Sequence, residues 1–272
     1  MSAPAIDELF ELAHPDSDAV AAARLTLLGT AVDGPVTLGT FTDEELVAVD
    51  GSIGAPFAPS PWFTSLSQDE QETAVTAALR GLTARGVYRA EPLDPEAGTF
   101  TFRASARLLA LLTMRRHTGT VVVAERRLAD QLDWALLYQQ RAGLWLGEYV
   151  SSVGQHELVL ATDDDTADAV TAWCGARAEV LAPELDLVLT RERVAAQDDA
   201  LLPLAACTAA VTVTRLEVEG DRPDEDVVET WSGVFTGPSG SYVSTAADDD
   251  VAYRGVDRDG VRSHWRSLLG SS

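Results

Sequence analysis

Leu66–Tyr88, LSQDEQETAVTAALRGLTARGVY, carries the start, the buried face and the stop of one helix. Ser67-Gln68-Asp69-Glu70 is a capping box: the Ser67 hydroxyl accepts a first-turn amide while Glu70 reaches back to the Ser67 amide. Ala74, Val75, Ala78, Leu79 and Leu82 recur at helical spacing and form one apolar face. Gly86 supplies the residue that ends the turn. The spacing predicts a helix over Gln68–Arg85. Val87–Ala90 and Thr99–Phe102 flank a Pro/Asp/Gly turn and read as a hairpin, and Ser105–Met114 reads as another helix. Helix, hairpin and helix in this order have the outline of a winged helix.

Toward the N-terminus, Ile6, Leu9, Phe10 and Ala13 recur at helical spacing, Pro15 interrupts, and Ala19–Leu28 continues. One or two helices are expected over residues 4–29. A turn follows at Asp33-Gly34-Pro35. Thr42-Asp43-Glu44-Glu45 is a second capping box opening a short helix, Asp43–Val49. The Gly- and Pro-rich run Gly51–Pro61 reads as a loop.

Toward the C-terminus the pattern turns to strands. Thr120–Glu125, Asp133–Gln139, Leu144–Val150 and Glu157–Ala161 are rich in β-formers, and a helix over Asp163–Ala178 follows. After a mixed stretch over residues 185–206, strands are expected at Ala209–Glu219, Val227–Thr236, Ser241–Thr245 and Val251–Tyr253. A closing helix, Asp257–Leu269, carries Val261, Trp265, Leu268 and Leu269 on one face. Strands, an Asp triplet and a Trp-bearing helix thus occur twice, through Asp163–Asp165 with Trp173 and through Asp248–Asp250 with Trp265. Either the two halves are a pseudo-twofold repeat, or Asp-rich loops coincide in an acidic chain. The expected fold class is α+β: a central, mainly antiparallel sheet with helical subdomains. The expected organisation is a helical segment 1–40, a winged-helix-like subdomain 41–117, half the sheet with its helix over 118–183, a second helical segment 184–208, and the other half over 209–272, all in one compact domain.

Composition removes whole classes of function. All 20 basic residues among the 272 are Arg, against 43 Asp and Glu, for a formal net charge of −23. Without Lys there is no Schiff-base residue and no phosphate-cradling Lys loop. The field of such a chain repels nucleic acid and anionic lipid. The first residues lack the basic start and apolar core of a signal peptide. The longest mostly apolar stretch, near Leu201–Val213, is too short to span a membrane, so a cytoplasmic protein is expected. Cys174 and Cys207 read as reduced, buried thiols, with a disulfide as the alternative.

The candidate chemistry is thin. Neither Asp triplet fits a calcium loop, because Ala167 and Ala252 stand where a fifth-position oxygen ligand is needed. Acids before a helix cap its amides and complement its dipole, which accounts for Asp163–Asp165; Asp248–Asp250 reads as a solvated turn. His14, His117, His156 and His264 are scattered, so no zinc pattern forms. Gly237-Pro238-Ser239-Gly240-Ser241 lacks the spacing of a nucleophile elbow and reads as a turn. No catalytic, cofactor or metal residue is assigned, although an unrecognised carboxylate site in an enzyme stays open. Residues 80–127 hold nine Arg and a local charge of +5, which leaves −28 for the rest. Hence a winged-helix transcription regulator, its acidic half serving dimerisation or effector binding, is the alternative function. Against it, the would-be recognition helix opens with Asp69, Glu70 and Glu72, which would face phosphates. The Arg residues read more simply as partners of the chain's own carboxylates.

Phe41-Thr-Asp-Glu-Glu-Leu-Val, the Pro-rich linker and Leu66–Tyr88 together resemble the EspG family, the cytosolic chaperones of actinobacterial type VII secretion systems. So do Ala84-Arg85-Gly86-Val87, Arg107-Leu108-Leu109, GPSGSYVS (Gly237–Ser244) and VRSHWRSLL (Val261–Leu269). The resemblance covers most of the chain from Phe41; the first 40 residues and Glu184–Cys207 lie outside it. It implies a pseudo-twofold sheet, no cofactor, no catalysis, and binding of helical secretion substrates that are thereby kept soluble. In that family a loop between two sheet strands and the second helical subdomain take part in binding. The nearest positions here are Gln139, Gln140 and Arg141 in one turn, and Leu201, Leu202 and Leu204 in Ala200–Leu204. Trp145, Tyr149, Trp231 and Tyr242 lie on expected strands and read as core more than as interface.

Overall fold

The computed structural model describes residues 9–11, 18–31, 33–50, 58–94, 99–116, 118–218 and 227–270. They divide into two compact units, Met1–Thr118 with Val153–Leu160, and Gly119–Ser152 with Ala161–Ser272. The fold is α+β, and its strand pairs are antiparallel.

The first unit begins with β1 (Leu9–Glu11), a correction to the expected helix. Leu9–Glu11 pairs with Ser105–Arg103, so the edge of a hairpin, not helical periodicity, sets the conformation of this segment. The rest of that expected helix lies outside the described residues up to α1 (Asp18–Thr30), which buries Val20, Ala23, Leu27 and Leu28. β2 (Val36–Thr42) is a strand not foreseen in the sequence, followed directly by α2 (Asp43–Asp50). Of the Thr42–Glu45 capping box only one arm forms: the Thr42 amide donates to Glu45 Oε2 at 3.3 Å, while Thr42 Oγ1 is buried without a partner. Most of the expected Gly51–Pro61 loop lies outside the described residues, and Pro61 instead opens a one-turn helix, α3 (Pro61–Thr64).

α4 (Gln68–Ala84) matches its sequence signature closely. Glu70 Oε2 accepts from both the Ser67 amide at 2.9 Å and the Ser67 hydroxyl at 2.7 Å. At the other end Gly86 takes φ +74°, and the amides of Gly86 and Val87 close back on Thr83 and Leu82. β3 (Tyr88–Asp94) and β4 (Thr99–Ser105) form the hairpin, and with β1 they make a three-stranded sheet in the order β1-β4-β3. α5 (Ala106–Met114) is capped by the Ser105 hydroxyl and is buried on nearly every side, Leu109, Ala110 and Met114 completely.

The second unit carries two meanders. The first is β5 (Thr120–Leu128), β6 (Gln131–Arg141) and β7 (Leu144–Val150); the chain then passes through β8 (Gln155–Thr162), which belongs to the first unit as far as Leu160, and returns at Ala161 to enter α6 (Asp163–Trp173). β9 (Asp186–Thr190), α7 (Arg191–Ala195), a 3-10 turn at Asp199–Leu201 and α8 (Leu202–Ala205) connect them. The second meander is β10 (Ala209–Val218), β11 (Val227–Gly237), β12 (Gly240–Ala247) and β13 (Asp250–Val256), followed by α9 (Arg258–Leu269). The order of elements therefore repeats. The sheet of this unit runs β7-β6-β5-β10-β11-β12-β13-β9, with β5 and β10 adjacent and antiparallel, so the two meanders unroll in opposite directions from a shared centre. α6 ends earlier than expected, at Trp173, because Gly175 takes φ +83° and turns the chain out of the helix.

α6 and α9 lie together on one face of this sheet. Their core joins Val122, Leu137, Trp145, Val213 and Val234 of the strands to Val170, Trp265 and Leu269 of the helices and to Cys174, which caps α6. Arg262 clamps the helices from outside, its Nε donating to Asp168 Oδ1 at 2.6 Å, while Arg266 reaches Asp164. That guanidinium holds the Asp168 carboxyl below the ordinary carboxylate range. The Asp163–Asp165 run works as a helix start: Thr162 Oγ1 accepts the Asp165 amide, and Asp163 Oδ1 accepts the Trp145 indole N–H at 2.7 Å. Asp248 stands in a tight turn at φ +50°.

Candidate partner-binding site

Gln139, Gln140 and Arg141 end β6 at the tip of the β6–β7 hairpin. The last β5–β6 pair is Val121–Tyr138, so Gln139–Arg141 extend past the β5 pairing and face Leu144 and Trp145 of their own hairpin. The register shifts between Gln139 and Arg141, which makes Gln140 a bulge residue. A bulge bends the strand and re-aims the side chains beside it. Gln140 Nε2 donates to the Tyr138 carbonyl at 3.2 Å, and Gly143 closes the turn at φ +77°. The base of the hairpin is rigid. Tyr138 and Trp145 are fully buried, and the Tyr138 hydroxyl donates to buried Glu148 at 3.0 Å. Arg141 is exposed, and its guanidinium has no ion pair among the described residues.

Leu201, Leu202 and Leu204 fall in the 3-10 turn and α8, which bury no residue. Leu202 is 67% exposed, and Leu201 and Leu204 are half-buried. This short, uncovered stretch offers apolar side chains to a partner. The structure does not join it to the hairpin tip. The stretch enters β10 at Ala209, level with Leu128 and hence with Gln131 at the start of β6. Arg141 ends the same strand β6 at the other side of the sheet, roughly 30 Å away at about 3.3 Å per residue.

The aromatic residues sort differently from expectation at one position. Trp145 and Tyr242 are buried and Tyr149 is partly so, but Trp231 is 50% exposed. Strand alternation places Trp231 on the sheet face away from α6 and α9, and composition alone does not say which face is covered. The exposed run Val227–Trp231 beside it is the only sequence signal, since both strand faces there carry apolar residues.

Seven of the nine Arg residues of the Arg-rich segment are paired with the chain's own carboxylates, and Arg80 on α4 is exposed. Arg85 meets Glu45, Arg89 and Arg103 meet Glu91, Arg115 and Arg116 both meet Asp50, Arg126 meets Asp133, and Arg127 meets Glu125. Arg107 donates to the Leu38 carbonyl at 2.7 Å. Burial of the Arg116 guanidinium lowers its pKa, while Asp50 opposes the shift.

Two contacts have the form of reactive pairs. Buried Asp43 sits 2.7 Å from His156 Nε2 and also accepts the Phe63 amide at 2.9 Å. It ties β8 and α3 to the start of α2. Gly154, at φ +76°, is required beside it, since a Cβ there would lie 2.7 Å from Asp43 Oδ2. Ser232 Oγ lies 3.2 Å from His264 Nε2, but burial pushes that imidazole down to about 4, which makes it a weak base. Cys174 is free and buried, its thiol pushed up to about 12, so it is inert as a nucleophile. No cluster of potential metal ligands occurs among the described residues. Among them, no helix is long and apolar enough to cross a membrane.

No protein-family model matches the sequence, and no curated protein matches it. A solved structure does: the Mycobacterium tuberculosis type VII secretion system chaperone EspG5, in complex with the PE25–PPE41 dimer. It superposes with a TM-score of 0.52 at 10% identity, over 86% of this chain and 95% of that one. The chain shares the fold of EspG5. At this identity the likeness is one of backbone architecture, and EspG5 side-chain contacts do not transfer residue by residue.

Proposed function

We propose that this protein is a cytosolic chaperone or adaptor that binds helical substrate proteins of an actinobacterial type VII secretion system and keeps them soluble. The observation that carries the reading is the fold shared with EspG5, which was solved holding the PE25–PPE41 dimer. The mechanism is binding without turnover: the chaperone covers an apolar helical surface that otherwise self-associates. Gln139, Gln140 and Arg141 offer a rigid polar contact with one free cation, and Leu201, Leu202 and Leu204 an apolar one. A client helix of about 20 residues is about 30 Å long, so one helix laid along the strands reaches both. The winged-helix regulator loses support, because seven of the nine Arg residues of the segment are engaged by Glu45, Asp50, Glu91, Glu125 and Asp133.

Co-expression with small helical proteins encoded beside its gene tests the reading. A client that is insoluble alone and co-purifies stoichiometrically supports it. Clients that are equally soluble with and without this chain, and never co-elute, overturn it.

A further inference from the structure

On the sheet face away from α6 and α9, within the second unit, β10–β13 and α7 enclose a concavity of about 330 Å³. Its floor is Gly233, where a Cβ would lie 2.7 Å from Ser244 Oγ and 3.2 Å from the Phe235 ring; the missing side chain keeps the concavity open. Its walls are Trp231 and Phe235 of β11, Tyr253 of β13 and Val194 of α7. Phe235 and Tyr253 hold each other, ring centroids 6.3 Å apart. On the first meander the same face is closed: Leu136, Tyr138 and Leu146 are fully buried. Here Trp231 stays half in water.

We infer that this groove receives an amphipathic helix with an apolar stripe and basic flanks. The inference rests on the chaperone reading and assigns it a third contact, at the client's helical surface. Spacing favours a helix. Trp231 and Tyr253 stand on strands β11 and β13, two steps of about 4.8 Å across and two residues of about 3.3 Å along, because Gly233 pairs with Ser244 and Ser244 with Tyr253; they lie about 12 Å apart. That separation is close to the 10.5 Å or so between helical positions i and i+7, with i+3 and i+4 between them. Charge sets the flanks. The groove holds one cation, Arg191, without an ion pair among the described residues. Beside its lining residues along the chain stand exposed Glu192 (next to Arg191), Glu229 (two residues before Trp231) and Asp248–Asp250 (just before Val251); the Arg191 amide bonds the Asp249 carbonyl at 2.9 Å. A stripe edged with Lys or Arg meets these carboxylates, while one edged with Glu is repelled.

The test uses two labelled synthetic helices of about 18 residues, or five turns, sharing one Leu stripe and flanked by Lys or by Glu. Anisotropy is read against the full chain and its variants Trp231→Glu and Val194→Glu. The Lys-flanked helix binds the wild type, the Glu-flanked helix binds at least about tenfold more weakly, and each variant loses about tenfold or more. Both variants add negative charge, so unspecific attraction of the Lys-flanked helix would increase; a loss reads the groove itself. Equal binding by wild type and both variants, equal binding of the two helices, or no binding at all overturns the proposal. So does a concentration-dependent dimer of the chain that Trp231→Glu abolishes, which would make a second copy the occupant. Client co-purification by the wild type is scored separately. If it persists while the helix assay fails, the groove is wrong and the chaperone reading stands; if it fails, the chaperone reading is wrong.

Discussion

His264 lies half-buried on α9, its Nε2 at 3.2 Å from Ser232 Oγ, with Asp186 and Arg254 lining the same recess. Burial lowers its pKa from 6.5 to about 4. The native ring is therefore neutral where the unfolded ring is already protonated. Between pH 6.5 and pH 4 the unfolded state binds more protons, so stability rises with pH across this window and is lost on acidification. At about 1.4 kcal/mol per pH unit, the full shift is worth about 3 kcal/mol. About 2 kcal/mol of that falls between pH 7.5 and pH 5, and residual exposure of the ring reduces it to about 1–2 kcal/mol. The assay is urea denaturation at pH 7.5 and pH 5, above the isoelectric point of about 4.3. Carboxylates titrate too, so the informative quantity is the difference from His264→Gln, which keeps a hydrogen-bonding group near Ser232. The wild-type midpoint falls by roughly 0.5–1 M more than that of the variant. Identical pH dependence in both proteins would show that the ring is hydrated in the native state, and the argument for its burial would fail.

Trp265→Ala empties the fully buried centre of the α6–α9 core; it costs about 3–5 kcal/mol and lowers the melting temperature by about 10 °C in calorimetry. Gly154→Ala forces a side chain into a backbone at φ +76° and against Asp43; it costs about 2 kcal/mol or more, and native-like stability would refute the packing described there. Arg141→Glu leaves stability within about 0.5 kcal/mol but weakens client binding about tenfold; unchanged affinity removes the hairpin tip from the interface.

The elements that sequence reasoning found are those whose information is local. α4 carries its cap, face and stop within Ser67–Gly86, and α9 its buried stripe within Val261–Leu269. The hairpins announce themselves through turn residues such as Gly143 and Gly240, both at positive φ. The elements that were missed are set by partners far along the chain. β1 exists because β4 offers an edge, and β2 because Val36–Thr42 pairs with Gln155–Leu160. The site shows the same division. That Gln139–Arg141 forms a tip is readable from its flanking strands. The bulge at Gln140, the exposure of Trp231 and the separation of Leu201–Leu204 from Arg141 depend on strand register and on which face is covered, neither of which a local pattern encodes. Charge arithmetic picked out the Arg-rich segment but left open whether it faces water or the chain's own acids; its partners, from Glu45 to Asp133, required the fold.

The most direct test of the account is native mass spectrometry of the chain co-expressed with a small helical secretion protein encoded beside its gene. The account predicts a stable stoichiometric complex, a client that precipitates when expressed alone, and weaker retention with Arg141→Glu. A chain that emerges uncomplexed, beside clients that stay soluble without it, would contradict the chaperone reading.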